Sequence, residues 1–198
     1  MIEDNNYKTQ YQSKTLVIGG GIAGICTALE LLDHNEPVLL IDRDSDDKFG
    51  GMANEAFGGM HFVDTPIQRS NGIVDSKQLA TEDWFAAANF PEGERDSHGQ
   101  QWAHTYIDRN KEDVYDWLTG FGIKFFPLVH WVERGDFGFK QGGRGNSVPR
   151  YHVAWGTGWE VAQTLIKKLM NHPNKEKLTL RFQHQVTGFI WQNKTLIG

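Results

Sequence analysis

The chain has 198 residues, with 20 Lys and Arg against 25 Asp and Glu and a formal net charge of −5 at pH 7. This length can bury one substantial core or two small ones. The acidic balance argues against a general nucleic-acid-binding protein, which concentrates positive charge on one face. A membrane-spanning helix needs about 18 consecutive apolar residues, and the sequence has no such run, so no membrane span is expected. The single cysteine fits a reducing compartment, and we expect a cytoplasmic location.

The first residues of the chain are polar and acidic and contain no apolar segment. They therefore lack the apolar centre of a secretory signal peptide. Chain ends that are not tied down by packing are commonly disordered. We predict a disordered leader over residues 1–14, with the folded part beginning at Thr15.

A glycine-rich segment follows the first predicted strand. Residues 16–18 form a short apolar run typical of a buried parallel strand, and Gly19, Gly21 and Gly24 come directly after it in the spacing Gly-x-Gly-x-x-Gly. In this arrangement the first glycine makes a tight turn, the second lets the backbone approach a pyrophosphate, and the third lets a helix pack closely on the strand. The helix, predicted over residues 22–33, directs its free N-terminal amides at the phosphates. The segment predicts a dinucleotide-binding site.

An acidic residue ends the second predicted strand, which begins at Pro37. Asp42 lies 18 positions after Gly24, close to the spacing of about 20 that is typical of a ribose ligand. A carboxylate there accepts hydrogen bonds from the ribose hydroxyls and repels a 2′-phosphate, which disfavours NADP. Arg43 weakens that exclusion because a guanidinium can hold a 2′-phosphate. Both residues are candidate cofactor contacts.

A second glycine-rich segment contains two adjacent pairs, Gly50 with Gly51 and Gly58 with Gly59. Glycine pairs let the backbone lie flat against a ligand or adopt positive φ. We expect one or both pairs to pass under a phosphate, a ribose or a ring. A flexible loop between two elements is the alternative. On the first interpretation, residues 15–60 form a dinucleotide-binding βαβ unit with a second glycine cluster.

Residues 72–150 are predicted to be an insertion of helices and loops. Over residues 75–88 an Asp-Ser start precedes apolar residues at helical spacing, and residues 101–118 place an apolar stripe opposite charged side chains. Residues 123–126 and 129–132 have the composition of short extended segments.

A glycine-rich loop completes this insertion. It spans residues 134–149 and, with the residue that follows it, carries Lys140, Arg144 and Arg150. Backbone amides and cations in such a loop can bind an anion, or the loop can be a solvated connection. The sequence leaves both interpretations open.

Residues 156–198 are predicted to form a helix and strands that return to the sheet. Thr157 and Glu160 have the spacing of a capping box at a helix start, and Pro173 ends the helix. The strands predicted after it are residues 178–182, 185–191 and 195–197, with a turn at 192–194. The fold class is therefore α/β: a Rossmann-like domain with a parallel sheet, a helical insertion and a small β-meander.

Other chemistries have no signature in the sequence. The eight histidines show neither His-x-His nor His-Glu-x-x-His spacing, so no metal site is predicted, and no Gly-x-Ser-x-Gly elbow indicates a serine hydrolase. For His152, a buried and hydrogen-bonded imidazole is favoured over a catalytic base. Cys26 fits helix packing better than a redox role because the chain has no second cysteine. No catalytic residue is assigned.

The motifs together resemble those of a known group of flavoproteins, the FAD-dependent oxidoreductase 2 family of fumarate reductases, succinate dehydrogenases and 3-ketosteroid dehydrogenases. Within that group the chain is most similar to the bacterial FAD-binding dehydrogenases. The resemblance covers nearly the whole chain from Thr15. The segments that carry it are the first glycine motif with Asp42, and residues 49–66, 72–76 and 145–158.

The resemblance implies that the cofactor is FAD. In the family the glycine pairs wrap the FAD pyrophosphate and approach the flavin. The residues assigned to cofactor contact in this way are Gly50, Gly51, Ala53, Gly58 and Gly59. Residues 184–186 match the place where the family's backbone meets the adenine, so Val186 would bind through its peptide groups.

The chain departs from the family pattern in two respects. Between the glycine pairs the family carries an aromatic and a hydroxyl residue, where this chain has Asn54, Glu55 and Ala56. A carboxylate close to a flavin disfavours the anionic reduced form, so Glu55 either points away or lowers the redox potential. Family members are also much longer than this chain. We therefore expect an incomplete, N-terminal part of an FAD-binding domain, with the catalytic residues beyond residue 198.

Three functions follow as hypotheses. The first is an FAD-dependent oxidoreductase that transfers a hydride through flavin N5, with a small-molecule substrate and an electron acceptor as partners and with the isolated chain inactive. The second is a module that binds a dinucleotide and catalyses nothing. The third is an NAD-dependent dehydrogenase with a plain Rossmann fold, which Asp42 favours and the second glycine cluster disfavours.

Overall fold

The computed structural model describes residues 11–88, 90, 97–130 and 145–197. The elements in chain order are β1 (Thr15–Ile18), α1 (Ile22–Asp33), β2 (Val38–Ile41), β3 (Gly59–His61), α2 (Pro66–Ser70), α3 (Lys77–Ala88), α4 (Ser97–Arg109), α5 (Trp117–Gly120), β4 (Tyr151–Val153), α6 (Thr157–Met170), β5 (Leu178–Arg181), β6 (Trp191–Gln192) and β7 (Thr195–Leu196). The chain divides into two compact units. The first consists of residues 1–52 and 165–198, and the second of residues 53–164.

A parallel three-stranded sheet in the order β1-β2-β5 is the centre of the first unit. The predicted strand, helix and strand of the dinucleotide motif are confirmed as β1, α1 and β2. The buried residues of α1 are Ile25, Ala28, Leu29 and Leu32. Both faces of a parallel sheet are normally covered, but along β1 only Val17 is buried, while Leu16 and Ile18 are 44% and 50% exposed.

The C-terminal region returns to this sheet through β5, which pairs with β2 in parallel. β6 and β7 form a separate antiparallel hairpin, and the turn residues Asn193 and Lys194 both have positive φ, as a tight hairpin turn requires. The predicted turn is confirmed. The predicted strand over residues 185–191 is wrong, because residues 182–190 form no helix or strand and only Trp191 belongs to β6.

The chain ends lie partly outside the described residues. Of the predicted leader, residues 1–10 are not among them. Tyr11 contacts the His184 ring edge-on and lies under the Arg181 guanidinium, and Lys14 pairs with Glu36 at 2.7 Å.

The second unit contains the antiparallel pair β3–β4 and the helices α2 to α5. At its centre the fully buried Phe62 packs edge-to-face against Tyr115, Phe125 and His152. The sequence analysis did not predict β3 or α2. α2 begins with a capping box in which Thr65 and Gln68 satisfy each other's backbone amides, and its Thr-x-x-Gln signature is present in the sequence.

The helices of the insertion differ from the prediction in two respects. The helix predicted over residues 101–118 begins earlier, at Ser97, and a π-helical segment, Asn110–Asp116, separates α4 from α5. The Asn110 side chain explains the wide turn, because its amide donates to the Tyr106 and Ile107 carbonyls while its oxygen accepts from the Val63 N–H. The side chain thus replaces hydrogen bonds that the widened helix turn leaves open.

The two predicted extended segments appear as isolated bridges. Phe125 pairs with Ala154, and His130 pairs with Tyr151. Most of the predicted glycine-rich loop, including Lys140 and Arg144, lies outside the described residues.

Candidate dinucleotide-binding site

The first glycine turn is tied to the end of β2. Gly19 has a φ of 102° and donates its N–H to the Ile41 carbonyl at 2.8 Å. A Cβ atom on Gly24 would lie 1.8 Å from the Gly19 carbonyl oxygen, so no larger residue fits where α1 crosses the turn. The tight turn and the close helix packing expected at these two positions are therefore present.

Gly21 differs from the other two glycines because neither its conformation nor its neighbours require glycine. Its φ is −78°, and it caps the start of α1 without a side-chain hydrogen bond of its own. A Cβ atom on Gly21 would meet no described atom within 4 Å. The N-terminal amides of α1 thus open onto space that suits a pyrophosphate.

The first pair of the second glycine cluster packs directly on this turn. Gly50 donates its N–H to the Gly20 carbonyl at 2.8 Å, and Gly21 and Gly50 form a parallel bridge. Gly50 and Gly51 both have positive φ, and a Cβ on Gly51 would lie 3.3 Å from the Gly21 Cα. The buried Phe49 ring fills the space beside Gly20. This packing argues against a flexible loop at the first pair.

Asp42 supports the glycine turn with both carboxylate oxygens. Oδ2 accepts the Gly20 N–H at 2.5 Å, and Oδ1 accepts the Asp44 N–H at 2.8 Å. A carboxylate offers about four acceptor positions, so the half-buried Asp42 has about two left beyond these two described hydrogen bonds. Arg43 has a side chain that is 74% exposed, with its Nε 3.9 Å from Asp44 Oδ1.

The segment after β5 is hydrogen-bonded to the Asp42 loop. His184 donates its N–H to the Asp42 carbonyl at 2.8 Å, and Gln183 donates to the Asp44 carbonyl at 2.9 Å. Val186, which is half-buried, follows this attachment by two residues. The structure thus brings the predicted adenine-binding backbone to the loop that carries the predicted ribose ligand.

The remaining glycine pair lies in the second unit and packs against its own chain. Gly58 has a φ of 79°, and a Cβ there would lie 2.6 Å from the Gly158 amide nitrogen. A Cβ on Gly59 would lie 1.8 Å from Tyr151 Cζ, and a Cβ on Gly158 would lie 2.4 Å from the Ala53 carbonyl. Internal packing is therefore sufficient reason for these glycines, and their contact with a flavin stays a prediction.

The start of α6 lies at Thr157, as predicted, but without the predicted capping box. Thr157 has a φ of 67° and donates its N–H to the Ala154 carbonyl. The Glu160 N–H bonds to the Gly156 carbonyl, and the Glu160 carboxylate accepts from the Thr164 hydroxyl. The positive φ turns the Thr157 backbone away from the geometry that reciprocal capping requires.

Arg150, a candidate anion ligand, forms buried ion pairs within the second unit. Its guanidinium is 3% exposed and makes a bidentate pair with Asp75 at 2.8 Å. Nη1 donates to Asp83 at 2.7 Å and to Asn146 at 2.9 Å. For Arg150 the anion-binding interpretation is therefore wrong. The sequence gives no sign of these pairs, because Asp75 and Asp83 lie 75 and 67 positions away.

His152 is a buried, neutral imidazole. Nδ1 lies 2.8 Å from the Arg150 carbonyl oxygen, which can only accept, so Nδ1 carries the proton. Nε2 then accepts from the Thr65 hydroxyl at 2.8 Å. Burial lowers the pKa of His152 to about 4. The preference for a satisfied core histidine is confirmed.

Within the described parts of the chain, no three His, Cys, Asp or Glu side chains come together as a metal site would require. No described helix is both long and apolar enough to cross a membrane.

A family model for the FAD binding domain, FAD_binding_2, matches residues 14–198. The chain belongs to this family. The resemblance drawn from the glycine motifs is thereby confirmed, and so is FAD as the cofactor. The structure fits that cofactor, because a Cβ on Gly24 or Gly51 would crowd the backbone of the first glycine turn, whereas a Cβ on Gly21 would meet no described atom within 4 Å.

Curated relatives of the chain include two kinds of enzyme. A KsdD-like steroid dehydrogenase of Mycobacterium tuberculosis is 40% identical over 185 residues, which are 92% of this chain and 31% of the relative. A fumarate reductase (cytochrome) of Shewanella frigidimarina is 28% identical over 150 residues, or 76% of this chain and 23% of the relative. The FAD_binding_2 chain thus spans less than a third of the length of these relatives.

Solved structures show the same fold. The 3-ketosteroid-Δ4-(5α)-dehydrogenase of Rhodococcus jostii RHA1 matches with a TM-score of 0.69 and 20% identity, covering 94% of this chain and 41% of that one. A flavocytochrome c3 fumarate reductase matches with a TM-score of 0.65 and 23% identity, covering 91% and 28%. The predicted α/β FAD-binding fold is confirmed.

Proposed function

We propose that the first unit of this chain binds FAD along the carboxyl ends of β1 and β2. The contact between the two glycine turns carries this proposal, because it places the backbone of Gly50 and Gly51 beside Gly21, where the N-terminal end of α1 begins. The α1 amides and the Gly50 and Gly51 backbone would hold the pyrophosphate. The two free acceptor positions of Asp42 would hold the ribose hydroxyls.

Other predicted contacts have weaker support. Val186 is assigned to the adenine through its peptide groups, supported by the attachment of its segment to the Asp42 loop. Ala53, Gly58 and Gly59 are assigned to cofactor contact by family resemblance. Arg43 would interact with the ribose side only if its exposed side chain left Asp44.

We infer that the protein is an FAD-dependent oxidoreductase of the fumarate reductase and ketosteroid dehydrogenase type. FAD, when bound, supplies the hydride chemistry at N5. In a dehydrogenation the substrate loses that hydride and a proton from the neighbouring carbon, and no described residue is assigned as the base. The 40% identity to a steroid dehydrogenase, against 28% to a fumarate reductase, favours an apolar ketone as the small-molecule substrate. A separate electron acceptor and a cytoplasmic location complete the proposal.

A binding module without turnover is a second candidate for the chain by itself. An NAD-dependent dehydrogenase is disfavoured by the FAD_binding_2 match.

FAD binding can be tested at Gly21, where the structure separates folding from ligand contact. We expect the purified chain to take up FAD, seen as flavin absorbance at about 450 nm. Gly21→Ala adds a methyl group that touches no described protein atom. It should therefore lower FAD affinity about tenfold or more, because the methyl blocks the approach of the pyrophosphate, while the thermal midpoint falls only slightly, because Ala is a poorer N-cap than Gly.

Gly120→Ala is the matched control, since a Cβ there also meets no described atom within 4 Å. It should bind FAD as the unaltered chain does. Equal FAD affinity in the Gly21 variant would contradict the proposed position of the pyrophosphate. Retention of NAD with no flavin would contradict the proposed cofactor site as a whole.

A further inference from the structure

Gly20 stands at a position that the Gly-x-Gly-x-x-Gly spacing leaves unspecified, and its neighbours explain why glycine is there. A Cβ atom on Gly20 would lie 2.8 Å from Cδ2 and 2.9 Å from Cε2 of Phe49, and 3.0 Å from Oδ2 of Asp42. A side chain at this position would have to displace the ring. The Phe49 ring and the Asp42 carboxylate therefore border the same small space beside Gly20.

The Phe49 ring is held in place by packing and by its backbone. Phe49 is 8% exposed, and its ring meets the Phe182 ring edge-on, with 5.2 Å between the centroids and an interplanar angle of 74°. Its N–H donates to the Asp46 carbonyl at 3.1 Å, and the next residue, Gly50, donates to the Gly20 carbonyl at 2.8 Å. The ring is therefore fixed before any ligand binds, and no entropy is spent on ordering it when one does.

The position of this ring affects the Asp42 carboxylate. Oδ2 of Asp42 accepts the Gly20 N–H, and the apolar ring beside this contact keeps water from one side of it. A hydrogen bond between an N–H and a carboxylate is stronger where water is excluded. The ring also fills the space into which the carboxylate would otherwise turn. The N–H and the ring together set the direction of the remaining acceptor positions of Asp42.

We propose that Phe49 is a positioning residue for the nucleotide ribose: its ring holds the Asp42 carboxylate in the direction in which it accepts the ribose hydroxyls. This inference rests on the proposed function, in which Asp42 is the ribose ligand. A ligand side chain that is already held in one orientation binds more tightly than one that must be ordered on binding. Phe49 acts through Asp42 and does not touch the ribose itself.

The test compares FAD with FMN, which has a flavin and a phosphate but lacks the adenosine and its ribose. Phe49→Leu keeps an apolar side chain in the core but withdraws the ring edge from the carboxylate. It should raise the dissociation constant for FAD about five- to tenfold and leave that for FMN within about twofold. Loss of support for the glycine turn as a whole would weaken both, since both present a phosphate to α1. Equilibrium dialysis measures both constants.

A double-mutant cycle with Asp42→Ala identifies the route of the effect. Asp42→Ala removes the carboxylate, which is the group that Phe49 would position. In that background Phe49→Leu should change the dissociation constant for FAD by less than about twofold. Phe182→Leu removes the ring that packs against Phe49 and should weaken FAD binding in the same direction. Because Phe182 is only half-buried, this variant decides the question if Phe49→Leu does not fold.

Phe62→Leu is the matched control. Phe62 is a fully buried phenylalanine of the second unit, so the same substitution removes core packing and lowers the free energy of unfolding. The dissociation constant for FAD should nevertheless stay within about twofold of that of the unaltered chain.

The proposal is overturned if Phe49→Leu weakens FMN as much as FAD, or if it weakens FAD equally with and without the Asp42 carboxylate. It is also overturned if Phe49→Leu and Phe182→Leu both bind FAD as the unaltered chain does. In these cases FAD still binds and the loss caused by Asp42→Ala remains, so the proposed function stands. An unaltered chain that takes up no FAD, or an Asp42→Ala variant with unchanged FAD affinity, overturns the proposed function and this inference with it.

Discussion

Asp42 has one structural role and one proposed ligand-binding role, and mutation can separate the two. Its carboxylate accepts two backbone N–H groups and is also the proposed ribose ligand. Asp42→Ala should lower FAD affinity by about 1–3 kcal/mol through loss of charge-assisted hydrogen bonds. It should also lower the free energy of unfolding by about 1–2 kcal/mol, because the Gly20 and Asp44 amides lose their acceptor. Flavin titration and urea unfolding measure the two effects.

Asp44→Ala is the control, since it removes the same charge from an exposed side chain two residues away. It should change FAD affinity little. An Asp42 variant with unaltered FAD affinity and reduced stability would show that the carboxylate only supports the turn.

His152 should make folding stability depend on pH. Burial lowers its pKa from 6.5 to about 4. Between these pH values the histidine is therefore mostly protonated in the unfolded chain and mostly neutral in the folded chain. The resulting stabilisation is complete above pH 6.5 and is lost as the pH falls toward about 4. Its full size is about 3 kcal/mol.

Urea unfolding at several pH values between the two pKa values measures this effect. His152→Gln should flatten the dependence, although it also lowers stability by breaking the bonds to Thr65 and the Arg150 carbonyl. His34→Gln, at an exposed histidine, should keep the slope of the unaltered chain. An equal slope in the His152 variant would contradict the assignment.

At this scale the sequence predicts a residue's role where spacing alone decides it. Gly24 follows Gly19 by the distance that brings the helix onto the turn, and the structure puts 1.8 Å between that carbonyl and a Cβ on Gly24. The hydrogen bond from the Gly20 N–H to the Asp42 carboxylate is different, because it depends on the direction of a side chain after the turn has folded. The pairs of Arg150 join residues far apart in the chain and leave no pattern in either segment.

At the scale of elements, Arg150 connects β4 to α3. It lies directly before β4, while Asp83 belongs to α3 and Asp75 precedes that helix. Arg150→Met should lower the free energy of unfolding by about 3–5 kcal/mol, because two buried carboxylates lose their counter-charge. Urea denaturation followed by tryptophan fluorescence measures the change.

Arg69→Met is the comparison for that measurement. Arg69 also binds an aspartate, Asp64, at 2.8 Å, but on an exposed surface, where an ion pair adds little. Its variant should unfold at nearly the same urea concentration as the unaltered chain. A similarly small loss at Arg150 would show that the buried carboxylates become protonated at little cost.

Elements with a strong local pattern were predictable, and elements made by tertiary contacts were not. The apolar residues of α1 recur at helical spacing and the helix forms over the expected range. Residues 185–191 are also rich in apolar and β-branched residues, but among the described residues only Trp191 pairs with another strand, and a strand needs a partner. The π-helical turn depends on the Asn110 side chain reaching Val63, which sequence periodicity does not reveal.

At the scale of the whole molecule, bound FAD should stabilise the fold, and exposed apolar side chains should limit its stability. Leu16 and Ile18 of β1 and Trp191 of β6 are about half exposed or more, so the folded chain leaves apolar area in water. FAD that binds only the folded chain should raise its thermal midpoint, with about 2.7 kcal/mol of added stability at a concentration of 100 times the dissociation constant. A thermal melt with and without excess FAD measures this.

FMN, which lacks the adenosine that Asp42 and Val186 are proposed to hold, should raise the midpoint less than FAD. A cooperative melt that FAD does not shift would contradict FAD binding by the chain. Aggregation during a melt without FAD would agree with the exposed apolar surface.

Cys26 lies in the second turn of α1, half-buried, and burial raises the pKa of its thiol. Because the chain has one cysteine, its alkylation reports on a single place: the helix whose amides face the proposed phosphate site. A thiol shielded in this way reacts mainly during brief local openings. The alkylation rate of Cys26 under native conditions therefore measures how often α1 opens locally. Bound FAD should lower this rate in proportion to its occupancy, even where the melting temperature hardly changes.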